Sequence, residues 1–190
     1  MARAPVSHAG KKGARIGATL VFVDEAGAYL LPTVVRTYAP RGETPTLAET
    51  LTRDHLSLIS GVTPHGQLFW QIYEGAITGA EVVRFLQHLE RRVRGPVFVI
   101  WDGASIHWNK VVQQFLADGH AARVHLEPLP GYAPELNPDE GVWHTLKDKE
   151  LANVACADLC QLQQELRRAL ARLERRPEVI RSFFRHAGYL

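Results

Sequence analysis

Cysteine is scarce in this chain of 190 residues: Cys156 and Cys160 are the only two. Their i, i+4 spacing puts both on one face of a helix, and the paired ligands of a structural zinc site are absent. They read as small core residues in a reducing compartment. No apolar run is long enough to span a bilayer and no signal peptide is present, so the expected location is the cytoplasm. A Gly-x-x-x-x-Gly-Lys-Ser/Thr loop is missing, which argues against a nucleotide-driven motor. There is no Ser-His-Asp arrangement, no cysteine–histidine set, no repeat and no low-complexity segment. Charge of one sign is also lacking overall: the net value is +2, which says little about partners.

What remains is ordinary for a globular protein, with 46% hydrophobic and 22% charged residues. The length suits one domain with a full core. Local charge says more than the total. Met1 to Arg15 carries Arg3, Lys11, Lys12 and Arg15 and no acid. Such an arm either follows a phosphate backbone or is a frayed, solvated terminus.

The stretch around which the rest is arranged is Val97-Phe98-Val99-Ile100-Trp101-Asp102. A run apolar at every position has no solvent face, so it reads as a central strand covered on both sides. It ends on a carboxylate, delivered to the rim of the sheet. Leu20-Val21-Phe22-Val23-Asp24 repeats the pattern. The first strand is expected over residues 18–23, a turn at Asp24-Glu25-Ala26-Gly27, and a returning strand over residues 29–36 with Pro32 marking an edge or bulge. Residues 56–60 and 67–73 predict a hairpin. Then the period changes. Thr78 to Glu81 is a capping box, followed by Val82, Leu86, Leu89 and Val93 at helical spacing, and Gly95-Pro96 stops that helix. Further helices are expected over residues 108–118, from Asn137-Pro138 to about 151, and from an Asp158 cap through Leu159, Leu162, Leu166, Leu170 and Leu173. A short strand containing Val124 and Leu126 lies between them, and Phe183, Phe184 and Tyr189 tie the tail down. The layout is α/β: a strand meander, then alternating helices and strands, forming a mixed sheet with helices on its faces.

Three acids stand out, each with an innocent reading beside the functional one. Asp24 and Asp102 both suit turns. Glu140, behind Asn137 and Pro138, suits the third position of a capping box. Together they read differently. Two acids close the two most apolar strands; if those strands are parallel neighbours, both project from the rim where open sheets place ligands. Three clustered carboxylates repel unless cations are present. Mg²⁺ takes one or two carboxylates with waters and phosphates, and two ions clamp the attacking and leaving oxygens of an in-line displacement.

Val23-Asp24-Glu25, Tyr38-Ala39-Pro40-Arg41-Gly42, Trp101-Asp102-Gly103-Ala104-Ser105-Ile106-His107 and Leu129 to Trp143, which contains Pro134-Glu135-Leu136-Asn137-Pro138-Asp139-Glu140, resemble the catalytic domain of DDE transposases. The match is closest to bacterial insertion-sequence members of the Tc/mariner superfamily, and it covers residues 18–190. The resemblance implies a ribonuclease H-like fold of the integrase/transposase catalytic-core type, a mixed five-stranded sheet flanked by helices. It makes residues 1–17 a basic N-terminal arm and residues 18–190 the DDE catalytic domain. By position the three family acids fall on Asp24, Asp102 and Glu140, with 37 residues between the last two. The implied activity is Mg²⁺- or Mn²⁺-dependent hydrolysis of DNA phosphodiesters at transposon ends, followed by strand transfer, with two ions bound.

DNA and a second copy of the chain during synapsis are the implied partners. Lys11, Lys12, Arg15, Arg41, His107 and Lys147 are candidate DNA contacts, with Lys149 beside them. His107 reads equally well as a polar residue at a helix start, and Trp143 reads as core. An arginine stripe at Arg167, Arg168, Arg172, Arg175 and Arg176 meets DNA, a second subunit or only water. Family members carry helix-turn-helix modules before the catalytic domain, whereas fewer than twenty residues precede the first strand here. A split frame with a separately encoded helix-turn-helix half, or a truncated remnant, is the expectation. The alternatives are a ribonuclease H-like nuclease without strand transfer and a non-catalytic remnant that binds DNA.

Overall fold

The computed structural model describes residues 13, 15–43, 46, 52–129 and 134–189. Lys11, Lys12 and residues 130–133 lie outside them. The strands are β1 (Thr19–Tyr29), β2 (His55–Val62), β3 (Leu68–Glu74), β4 (Val97–Trp101) and β5 (Val124–Pro128). The helices are α1 (Gly79–Arg92), α2 (Lys110–Ala117), α3 (Glu140–Thr145), α4 (Leu159–Glu174) and α5 (Pro177–His186). No helix among the described residues is long and apolar enough to cross a membrane.

The five strands form one mixed sheet in the order β3-β2-β1-β4-β5. β1 pairs antiparallel with β2 and parallel with β4, and β4 pairs parallel with β5. β4 therefore sits between two parallel neighbours, and all five of its residues are buried. This is what an unbroken apolar run requires, since neither face of such a strand tolerates water.

Alternation along β1 divides the core. Phe22 faces a cluster built with Phe98, Ile100, Trp143, Leu166, Leu170 and Phe184, under α3, α4 and α5. Val21 and Val23 face a second cluster with Val97, Val99, Trp101, Phe85, Leu86 and Val112, under α1 and α2. The capping box of α1 forms as expected: Thr78 Oγ1 accepts from Ala80 N at 3.2 Å, and Glu81 Oε2 accepts from Thr78 N at 3.0 Å. Asp158 caps α4 through Gln161 N, and four of its five expected leucines, 162, 166, 170 and 173, are buried. α2 begins slightly later than expected because Asn109, not Trp108, caps it, accepting from Val111 N and Val112 N.

Three expectations are corrected. Asp24-Glu25-Ala26-Gly27 is not a turn: β1 runs straight through it, with Asp24 opposite Ser60 and Gly27 opposite Ser57. Eight paired positions of β2 outweigh a local turn tendency worth far less. Residues 30–36 form no returning strand. Pro32 has no donor, and the segment is instead pinned by Asn153, whose N–H donates to Thr33 O and whose Oδ1 accepts from Val35 N, both at 2.9 Å. The helix expected from Asn137 to about 151 starts at Glu140, and over Leu146–Glu150 it widens into a π turn closed by Leu151 N on Leu146 O.

α3 is pressed tightly onto α5. A Cβ on Gly141 would lie 2.4 Å from Cγ of Phe183. Only glycine permits that approach, and it fixes the depth at which Glu140, one residue earlier, sits against the sheet edge.

Candidate functional site

The register of β1 and β4 aligns Phe22 with Ile100. Two residues on in each chain are Asp24 and Asp102, so the two aspartates leave the same end of two adjacent parallel strands. β4 ends at Trp101, while β1 continues against β2, and this difference sends the two side chains to different surroundings.

Asp24 points toward α3. Its Oδ2 accepts from the indole Nε1 of Trp143 at 3.0 Å, and the Glu25 N–H also donates to the carboxylate. Burial, reinforced by the charge of Glu140, pushes its pKa up to about 7. Asp139 is worse placed for a charge. It is fully buried, its Oδ2 accepts from Ser60 Oγ at 2.5 Å, and its Oδ1 has no partner among the described residues. Burial first, then the charge of Asp24, raises its pKa well above the ordinary carboxylate value. Glu140 is exposed on the first turn of α3, at the rim of a cleft of about 620 Å³ that Lys149, His144, Phe183 and His186 also line.

The expected capping box at the start of α3 does not form, because Asn137 is engaged elsewhere. Its Nδ2 donates to Val23 O at 3.2 Å and its Oδ1 accepts from Asp139 N at 3.1 Å. Asn137 thus staples the entry to α3 onto β1 beside Asp24, and Glu140 is not consumed as a local cap. Trp143 is core, as its sequence reading has it, but its one polar atom serves Asp24.

Asp102 turns the other way. It is half exposed, its Oδ1 accepts from Ala104 N at 2.9 Å, and the same atom lies 3.3 Å from Nδ1 of His107. His107 is fully buried, its ring stacked on Trp101 with centroids 4.0 Å apart and planes 9° off parallel. Its Nε2 meets Glu25 Oε1 at 2.8 Å. Burial alone pulls the imidazole pKa down; the Glu25 carboxylate, helped by Asp102, more than offsets that, and the net direction is up. His107 therefore faces the protein interior, not a surface where DNA would lie. Arg15, Arg41 and Lys147 are exposed.

Two groups result. Asp24, Asp139 and Glu140 cluster on the α3 side; Glu25, Asp102 and His107 bring one ligand atom each within 4.8 Å of one another on the other side. Sequence reasoning missed Glu25, Asp139 and Ser60. The available signal for Glu25 was its place directly after Asp24, which in a continuous strand sends it to the opposite face.

Comparison with known proteins now gives this geometry a setting. The family model described as DDE superfamily endonuclease matches residues 19–163. None of the curated proteins compared matches the sequence. Among solved structures, the Mos1 strand transfer complex aligns with a TM-score of 0.61 at 16% identity, over 97% of this chain and 59% of that one. The Mos1 mariner paired end complex with Mn gives 0.61 at 17% identity, over 95% and 60%. The isolated catalytic domain of Mos1 mariner transposase gives 0.55 at 14% identity, over 97% and 92%. The chain spans about three fifths of the chains in those complexes and nearly all of the isolated catalytic domain. At such identities the likeness establishes the fold, which is ribonuclease H-like.

Proposed function

The chain belongs to the DDE superfamily endonucleases, and from that premise we propose that it is the catalytic domain of a DNA transposase. It hydrolyses phosphodiester bonds at transposon ends and joins the freed 3′-hydroxyl to target DNA, using two Mg²⁺ or Mn²⁺ ions held by Asp24, Asp102 and Glu140. One observation carries this reading: the β1–β4 register delivers two aspartates to one sheet end, where the first is buried beside Glu140 and held short of full ionisation.

The donor set suits a hard divalent cation. It is all carboxylate oxygen, it is crowded with negative charge, and a cation would offset the burial and the Glu140 charge that together raise Asp24. When bound, such ions supply an activated water and charge stabilisation at phosphorus. The chain's own residues do the rest. Trp143 holds one oxygen of Asp24 and so sets the direction of the other. Asn137 and Gly141 seat α3 so that Glu140 stands at the same edge. The cleft beyond Glu140, with Lys149 on its wall, gives a strand of DNA a place to lie. Arg15, Arg41 and Lys147, with Lys11 and Lys12 of the basic arm, supply phosphate contacts. The relatives named above include a paired end complex of Mos1 with Mn. By analogy, the working form here is a dimer that holds two ends.

The test is cleavage of a plasmid bearing the inverted repeats that flank the gene. Wild-type protein is expected to nick it with Mg²⁺ or Mn²⁺ and to stop on chelation. Asp24→Asn, Asp102→Asn and Glu140→Gln are each expected to lower the rate by on the order of 10³-fold, about 4 kcal/mol of transition-state stabilisation, with unchanged circular dichroism. Undiminished cleavage in any variant removes that residue from the mechanism. Pre-cleaved ends that are not joined to target would reduce the protein to a plain nuclease.

A further inference from the structure

Glu25, His107 and Asp102 form a connected set across the end of the sheet, and the reading above uses only the last. β1 sends Asp24 toward α3 and Glu25 toward the turn at Ser105–Trp108. There Glu25 Oε1 meets His107 Nε2 at 2.8 Å. The other ring nitrogen, Nδ1, lies 3.1 Å from the main-chain oxygen of Asp102 and 3.3 Å from its Oδ1. Each ring nitrogen thus faces oxygen, Glu25 on one side and Asp102 on the other. The ring cannot swing away, because it is fully buried and stacked flat on Trp101, the last residue of β4. Asp102 is the first residue past that strand, and its side chain is 55% exposed. Apart from this imidazole, its carboxylate is held only by Ala104 N among the described residues.

We infer that Glu25 and His107 are positioning residues for Asp102: they tie the loop after β4 to β1 and fix the direction in which the Asp102 carboxylate is presented, without themselves ligating a cation. The three side chains lie close enough to one another for a shared ion. A cation among them would have to break the contacts by which His107 joins Glu25 to Asp102, and the fully buried ring has no exposed edge from which to be approached. Partners that orient a ligand from behind contribute about 10- to 100-fold in metal affinity in known sites.

This inference rests on Asp102 being a cation ligand, and the experiment separates the two. Mn²⁺ is titrated into the full chain and into Asp102→Asn, Glu25→Ala, Glu25→Gln and His107→Phe, with affinity read by calorimetry and electron paramagnetic resonance. Circular dichroism and Tm report folding; His107→Phe keeps a ring on Trp101, and the Glu25 variants carry the test if it fails to fold. Asp102→Asn is expected to weaken binding most. His107→Phe and Glu25→Ala are each expected to weaken it about 10-fold or more, and Glu25→Gln, which keeps an acceptor for Nε2, less than Glu25→Ala. Pulsed resonance of bound Mn²⁺ is expected to show no directly coordinated imidazole nitrogen. Wild-type affinity in folded Glu25→Ala and His107→Phe, with loss in Asp102→Asn, overturns the positioning role and leaves the site standing. Wild-type affinity in Asp102→Asn overturns the reading of Asp102 itself, and the inference with it. A strong ¹⁴N coupling makes His107 a ligand and overturns the inference alone.

Discussion

Asp24 and Glu25 are consecutive residues of one strand, yet the two faces of the sheet treat them in opposite ways. On the α3 face, Asp24 meets Glu140, the buried Asp139 and an indole N–H, and among the described residues no cationic side chain is among its interactions. On the other face, Glu25 meets an imidazole that donates to it. The first arrangement is left with excess negative charge; the second neutralises itself within the protein. Proximity of acids alone is therefore a poor guide to a cation site. The cluster around Asp24 calls for a cation from outside; the Glu25–His107 pair does not, and of that group only the half-exposed Asp102 is left to reach one.

Stability against pH should show this contrast most strongly. Asp24 has a folded pKa of about 7 against an ordinary 3.8, so its contribution is present below about pH 4 and is lost as pH rises toward 7. That gap is worth at most about 4 kcal/mol. Asp139, raised by the same burial, acts in the same direction. His107 is also raised, but from 6.5, so its contribution holds up to that pH and is lost only above it. Urea denaturation without divalent ions is expected to show stability falling between pH 4 and 7, and Asp24→Asn to flatten that fall. Adding Mn²⁺ at pH 7.5 should restore stability in the wild type and not in Asp24→Asn. An unchanged slope in Asp24→Asn would mean that the α3 face is not the strained one.

A smaller effect is expected at the link between Asp24 and the core. Trp143→Phe removes the donor to Asp24 Oδ2 while keeping most of the ring's volume. The loss should be about 1–3 kcal/mol of stability at pH 7.5 without metal, and the pKa of Asp24 should move further up. Direct titration of the carboxyl by NMR would check this. The same substitution should leave the His107 signals unmoved, since they belong to the opposite face; a shift there would show that the two faces are coupled.

The smallest effect is expected from the exposed cations. Lys147→Ala and Arg41→Ala should weaken DNA binding a few-fold and reduce its salt dependence by about one counterion each. Cleavage of saturated complex should be unchanged. Fluorescence anisotropy over a range of salt concentrations, beside single-turnover cleavage, separates the two.

The fold was largely legible where the signal was local. The unbroken run of β4, the capping box at Thr78, the leucine spacing of α4 and the β2–β3 hairpin each contain their own evidence within a few residues. The errors fell where a distant partner outweighs local preference. Asp24 to Gly27 reads as a turn until eight residues of β2 lie alongside it. Residues 30–36 read as a strand until Asn153, more than a hundred residues on, pins them as an irregular segment. Glu140 reads as a helix cap until Asn137 is seen to hold Val23 instead.

What the sequence by itself determined is most of the strands and helices and the presence of acids at the ends of the two most apolar runs, because period and burial are written residue by residue along the chain; the strand expected over residues 29–36 and the last helix, Pro177–His186, were decided by packing. What only the tertiary structure decided is which acids share a face. Asp24 lies with Glu140 and Asp139, while Asp102 lies with Glu25 and His107. That outcome depends on strand register and on the side chains that close over each end of the sheet, and both are set by contacts between residues up to about 120 positions apart.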